Sequence, residues 1–184
     1  MQKFRFSSQQ GSSYLRRIVK WIVDIVVVAI LAVFVVKNIT ISTVMEGNSM
    51  APVLLTEDSI LINGIKYLFF EPQRHDIIAF KQGEPSKIYI KRIVGLPGET
   101  VQILNNNLYI NGELLEFDLY TTISPEGIAS QKVTLGVDEY FVLGDNPKGS
   151  EDSRFESVGN IKKRNIVGEV WFRTAPFDEL GFID

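Results

Sequence analysis

Ser49 and Lys91 are the residues of this 184-residue chain whose types and surroundings suit acyl transfer. Ser49 lies in Gly47-Asn48-Ser49-Met50-Ala51-Pro52. Gly47 permits a tight backbone approach, and Pro52 biases the residue before it away from helix. Such a setting can expose a hydroxyl beside free backbone N–H groups, which an oxyanion site needs. A loop serine leading into a strand fits the same residues. Lys91 lies in Tyr89-Ile90-Lys91-Arg92-Ile93-Val94-Gly95-Leu96-Pro97-Gly98-Glu99. Strand alternation puts Tyr89, Lys91 and Ile93 on one face and Ile88, Ile90, Arg92 and Val94 on the other. A lysine between a tyrosine and an isoleucine is placed for burial and a lowered pKa. To act as a base near neutrality it must drop roughly 2–3 units, which takes about 3–4 kcal/mol of desolvation. An edge-strand lysine whose ammonium reaches water fits the same pattern. Taken together, the two residues suit a Ser/Lys hydrolytic dyad.

Composition removes the main competitors. There is no cysteine, hence no disulfide, thiolate metal site or cysteine nucleophile, and the single histidine, His75, excludes a multi-histidine metal site. Asp76 adjoins His75, but neighbouring strand residues point to opposite faces, so that aspartate is badly placed to orient the imidazole in a Ser-His-Asp triad. Glu151-Asp152 and Asp138-Glu139 lack metal-ligand spacing and read as solvated turns. No metal or cofactor is expected. Residues 1–20 carry Lys3, Arg5, Arg16, Arg17 and Lys20 with no acid, a charge of +5. The other 14 basic and 22 acidic residues leave the rest of the chain at −8, which argues against a nucleic-acid partner.

The elements that must hold these residues follow from patterning. Residues 18–36 are apolar apart from Lys20 and Asp24. As a helix they would span about 28 Å, close to the hydrocarbon thickness of a bilayer. Val35-Val36-Lys37-Asn38-Ile39 lacks the small-residue site of a cleaved leader, so an uncleaved anchor over 18–37 is expected. The basic tail, 1–17, then stays cytoplasmic and residues 38–184 lie outside. Past the anchor, 58–63, 76–80, 87–94, 101–104, 108–110, 132–135, 139–143 and 167–172 read as strands, rich in Ile, Val, Tyr and Phe between turn formers. Asn105-Asn106-Asn107 and Asn111-Gly112 read as hairpin turns. Residues 38–184 are therefore expected to form a mainly β domain, with about 101–138 as an inserted β subdomain.

Three segments carry a family resemblance: the Ser49 segment, the Lys91 segment, and a third running from Gly144-Asp145-Asn146 to Asp152-Ser153-Arg154. In order and spacing they resemble the signature blocks of type I signal peptidases. That resemblance implies a signal-peptidase-like β domain behind one N-terminal transmembrane helix, the single-anchor, Gram-positive-like form. It implies a serine endopeptidase of the bacterial cell membrane, catalytic domain outward, that cleaves signal peptides from exported preproteins. Ser49 would be the nucleophile, Lys91 its base, and Ser150 the hydroxyl that holds the lysine amine. Asp152 and Arg154 would brace the site as a salt bridge, Asp145 and Asn146 would shape the turn, and Asp76 would be structural. Met45, Met50, Leu54, Tyr89 and Ile90 match positions lining the substrate pockets. The leader would add as a strand beside 42–47 and 89–91, with small residues at its first and third positions before the scissile bond.

Four departures stand out: Pro147-Lys148-Gly149 after Gly-Asp-Asn, Val53 after Pro52, His75 before Asp76, and Gly47 where some relatives place an oxyanion-donating serine. A non-catalytic relative serving as an assembly factor for exported proteins would keep the fold and lose a dyad residue, whereas both are present here. A self-cleaving Ser/Lys repressor would need a DNA-binding half that the short basic tail has no room for.

Overall fold

The computed structural model describes residues 9–82, 87–120 and 122–183, without the side chains of 9–13 and 35–39. The chain forms two units, residues 1–39 and residues 40–184. The first is one helix, α1 (Gln9–Ile39). Every described side chain on it, from Tyr14 to Phe34, is exposed. Among the described residues no helix is long and apolar enough to cross a membrane. Arg16, Arg17, Lys20 and Asp24 interrupt the described part of α1, and the end of the apolar run at 35–36 lies outside it.

The second unit is mainly β. Its strands are β1 (Thr40–Val44), β2 (Ser59–Asn63), β3 (Ile77–Gln82), β4 (Lys87–Gly95), β5 (Thr100–Leu104) and β6 (Asn107–Ile110). They continue as β7 (Glu113–Leu114), β8 (Val133–Thr134), β9 (Glu139–Leu143), β10 (Ile161–Lys162), β11 (Ile166–Ala175) and β12 (Gly181–Phe182). A large antiparallel sheet runs β1-β2-β11-β3-β4-β9-β10, with β12 on β11, and a smaller sheet runs β7-β6-β5-β8. The turns of the small sheet follow from side-chain chemistry. Leu104 pairs with Asn107 across Asn105 and Asn106, both at positive φ, and Ile110 pairs with Glu113 across Asn111 and Gly112, also at positive φ. Asparagine and glycine are the residues that tolerate this two-residue turn.

The strand predicted over 167–172 runs on to Ala175, and β7, β10, β12 and a four-residue helix, α2 (Lys66–Phe69), were not expected. Two-residue strands hold too little sequence to carry a period. The helix starts where Asn63 Oδ1 accepts the N–H groups of Ile65 and Lys66, both at 3.2 Å, a local cap rather than an amphipathic signal.

Both faces of the central strand β3 are covered, which is why it reads as an unbroken apolar run. Ile77 and Ala79 pack with Met45, Met50, Leu54, Ile60, Ile62 and Ile90, while Ile78 and Phe80 pack with Ile93, Tyr140 and Val142. A third cluster joins Val94, Phe141 and Leu143 of the large sheet to Val101, Ile103, Leu108 and Ile110 of the small one. Strand β4 serves all three clusters, so its register is fixed on both sides.

Candidate active site

The loop between β1 and β2 carries Ser49 and is closed at its neck. The Met45 N–H donates to the Asp58 carbonyl (2.8 Å), and the Glu57 N–H donates to the Met45 carbonyl (2.9 Å). Met50 and Leu54 are fully buried and anchor its underside, with the Leu54 N–H donating to the Met50 carbonyl at 2.9 Å. Ser49 is left half-buried above them. Gly47 takes a positive φ of 76°, which glycine adopts without strain, and its carbonyl accepts from Thr56 Oγ1 at 2.9 Å. Arg173 of β11 donates to the Val53 carbonyl and pairs with the buried Asp58 carboxylate at 3.2 Å. That carboxylate also accepts the Leu55 N–H at 2.9 Å. Among the described residues nothing accepts from the Ser49 N–H.

Strand β4 brings Lys91 to this loop. Its Nζ lies 2.9 Å from Ser49 Oγ and 3.0 Å from the Ile90 carbonyl oxygen, and the residue is 4 % exposed. Burial lowers its pKa to about 8, against the opposing pull of the Asp152 and Glu151 carboxylates. About a tenth of it is therefore neutral at pH 7 and about half at pH 8, with a lone pair able to take a hydroxyl proton.

The third segment straps the loop in place. The Asn146 N–H donates to the Ser49 carbonyl (3.0 Å), and Asn146 Nδ2 donates to the Asn48 carbonyl (3.0 Å). Asn146 also shapes its own turn, its carbonyl accepting the Gly149 N–H at 3.1 Å, so one residue both closes that turn and holds the Ser49 loop. Asp145 likewise looks inward. It makes a two-pronged ion pair with Arg92, both contacts 2.9 Å, with neither side chain more than 2 % exposed. Arg92 faces away from Lys91 into the protein, and a guanidinium buried there requires a carboxylate. Arg92 Nη1 also donates to the His75 carbonyl at 2.8 Å.

Asp152 and Arg154 form a second fully buried pair, at 2.8 and 2.9 Å. Asp152 also accepts the Gly144 N–H at 3.1 Å, and Arg154 donates to the carbonyls of Pro125 (2.9 Å) and Pro147 (2.7 Å). Ser150 is buried, and among the described residues its Oγ has no hydrogen-bond partner, so it makes no bond to the Lys91 amine that the resemblance would have it hold. It packs against Gly144, where a Cβ would overlap both Ser150 Oγ and the Ser49 carbonyl oxygen. Asp76 accepts from Tyr67 Oη and from the Gln73 N–H (both 2.9 Å), away from Ser49. His75 stacks on Phe117 at 4.4 Å and makes no contact with Ser49 or Asp76.

A groove of about 420 Å³ runs past Ser49 and Lys91, lined by residues 43–49 and 87–91 with Gly149 and Glu151. Met45, Tyr89 and Ile90 line it, whereas Met50 and Leu54 do not. Those two lie beneath its floor because a turn anchored by two fully buried side chains cannot also present them to a ligand. Arg173, Asp58, Gly144 and the partnership of Arg92 were not read from the sequence. Arg92 left a trace, as a second charge inside an apolar strand.

The comparisons with known proteins agree in sequence. Residues 18–175 match the family described as signal peptidase, peptidase S26. A signal peptidase I from Leptolyngbya laminosa is 38% identical over 143 residues, covering 73% of this chain and 68% of its own. One from Bacillus amyloliquefaciens is 33% identical over 187 residues, covering 95% and 97%. A crystal structure of a signal peptidase I from Enterococcus faecalis V583 aligns at 35% identity with a TM-score of 0.46, covering 55% of this chain and 97% of that one. The chain belongs to the S26 signal peptidase family. By that membership it is a hydrolase, a serine protease.

Proposed function

We propose that this protein is a membrane-bound endopeptidase that removes N-terminal signal peptides from exported preproteins, with Ser49 as nucleophile and Lys91 as general base. The observation that carries the assignment is the 2.9 Å contact between a buried lysine amine of lowered pKa and a half-buried serine hydroxyl, at the floor of an open groove. In this reading neutral Lys91 takes the Ser49 proton as Oγ attacks the scissile carbonyl. The unpartnered Ser49 N–H receives the developing oxyanion. The protonated amine then delivers its proton to the leaving nitrogen, and water attacks the acyl-enzyme with Lys91 again as base. Ser150, Asp152, Arg154, Asp145 and Gly47 support the dyad by fixing the segments around it.

The sheet edges favour an extended substrate. Among the described residues, strand β1 pairs only with β2, and the 87–91 half of β4 pairs only with β3, since pairing to β9 begins at Arg92. Each therefore presents an unpaired edge, and a peptide strand fits between them. Alternate side chains of that peptide would enter the shallow apolar stretch at Met45, Tyr89 and Ile90, which has room for small residues at the first and third positions before the bond. The fully exposed apolar surface of α1 and the +5 tail support an anchor over 18–37, tail inward and residues 38–184 outside a bacterial cell membrane.

The test is incubation of the purified full-length protein with a leader-bearing precursor, beside Ser49→Ala and Lys91→Met. Cleavage by the wild type and its loss in both variants is expected, since nucleophile and base act as one unit. Normal cleavage by either variant would sink the dyad, and an inert wild type would favour the non-catalytic assembly factor.

A further inference from the structure

The groove beside Ser49 has an apolar floor and opposite charges at its two ends. Lys87 stands at one end, exposed, its ammonium 5.7 Å from the centre of the Tyr89 ring. Glu46 and Glu151, also exposed, line the groove around the dyad, and Lys148 is not among the lining residues. One Glu151 oxygen accepts from Ser157 at 2.9 Å, and none of the three charges has an ion-pair partner among the described residues. All three are thus available to a ligand. Burial dominates the pKa of Lys91, yet Glu151 pushes it up and Lys87 pushes it down, which puts both within electrostatic reach of the reacting atoms.

Substrate direction follows from the sheet. Every neighbouring pair along β1-β2-β11-β3-β4 is antiparallel, so β1 and β4 run the same way. The apolar stretch that suits the first and third positions lies at Met45, Tyr89 and Ile90, so the substrate before the scissile bond extends from Lys91 back toward Lys87. Four residues of strand cover about 13 Å, which sets the fifth position before the bond level with Lys87. Parity reinforces this: first, third and fifth positions share a face, as do Lys91, Tyr89 and Lys87. The chain beyond the bond leaves past Gly149 and Glu151.

We propose that this groove reads charge as well as size: Lys87 selects an acidic side chain at the fifth position before the scissile bond, and Glu151 disfavours acidic side chains at the first two positions after it. The proposal rests on the signal-peptide reading above and adds a substrate class, leaders acidic near the cut and mature chains that begin neutral or basic. Exposed charge pairs are weak, so each preference should be about three- to fivefold in kcat/KM at low salt and fade as salt screens it.

The test uses full-length wild type, Lys87→Glu and Glu151→Gln against precursors carrying aspartate, alanine or lysine at the fifth position before, or the first after, the bond. Each rate is normalised to the alanine parent. Wild type should prefer aspartate at the fifth position, Lys87→Glu should invert that order alone, and Glu151→Gln should relieve only the penalty after the bond. A flat series in wild type, or a fifth-position preference that survives Lys87→Glu, overturns the charge proposal while Ser49-dependent cleavage of the parent leaves the dyad standing. Failure of wild type to cut the parent overturns both.

Discussion

The Lys91 amine sets the pH behaviour of the site. With its pKa lowered to about 8 by burial, activity should rise from neutral pH through that value, the ascending limb reporting loss of its proton. His75→Ala should leave this limb in place, because the imidazole stacks on Phe117 and touches neither dyad residue. The same shift has a stability consequence. Between about 8 and 10.5 the unfolded chain holds a proton on Lys91 that the folded chain does not, so folding stability rises with pH across that window. The burial cost, fully present below about pH 8, is on the order of 3 kcal/mol. Lys91→Met should abolish cleavage and raise thermal stability at pH 7 by removing that cost. Denaturation of the two proteins at pH 7 and pH 10 checks this, and a gap that fails to narrow at pH 10 would contradict the burial argument.

Two elements, the Ser49 loop and the 144–154 segment, must stay in contact for the dyad to persist. Asn146 links them through its backbone N–H to Ser49 and its Nδ2 to Asn48, and Asn146→Ala removes only the second, so it should lower kcat by about threefold while costing about 1 kcal/mol of stability. Gly144→Ala acts on the same contact by another route. Its methyl group would overlap the Ser49 carbonyl and Ser150 Oγ, so the two segments must separate. Here kcat should fall with little change in KM, measured on a standard precursor. The buried Arg92–Asp145 pair is a different case, because its removal leaves an isolated charge. Asp145→Ala should cost about 3–5 kcal/mol, readable as a lowered denaturation midpoint.

For the molecule as a whole, α1 and the tail before it set the expected sidedness. In the membrane reading proposed above, the exposed and mostly apolar side chains of α1 lie in the bilayer, and the basic, acid-free tail before it favours the cytoplasm. Protease added outside intact spheroplasts should therefore digest residues 40–184 and spare the tail. Protection of that unit would invert the topology and remove its access to exported chains.

The sequence by itself determined most of the longer strands, because each needs only a local period and its flanking turn formers, while the two-residue strands β7, β10 and β12 left no such signal. Residues 105–106 and 111–112 specified their hairpins through backbone preference alone. It also singled out Ser49 and Lys91, not by either setting alone, which a loop serine or an edge-strand lysine fits as well, but because both segments occur with 144–154 in the order and spacing of one family's blocks. Only the tertiary structure decided what those residues meet. That Arg92 is neutralised by Asp145, that Asn146 holds the Ser49 loop, that Arg173 reaches Val53 and Asp58, and that Met50 and Leu54 lie beneath the groove rather than in it all depend on side chains far apart in sequence. Such contacts leave no period behind. They are set by which faces of β3, β4 and β11 the packed sheet turns toward one another.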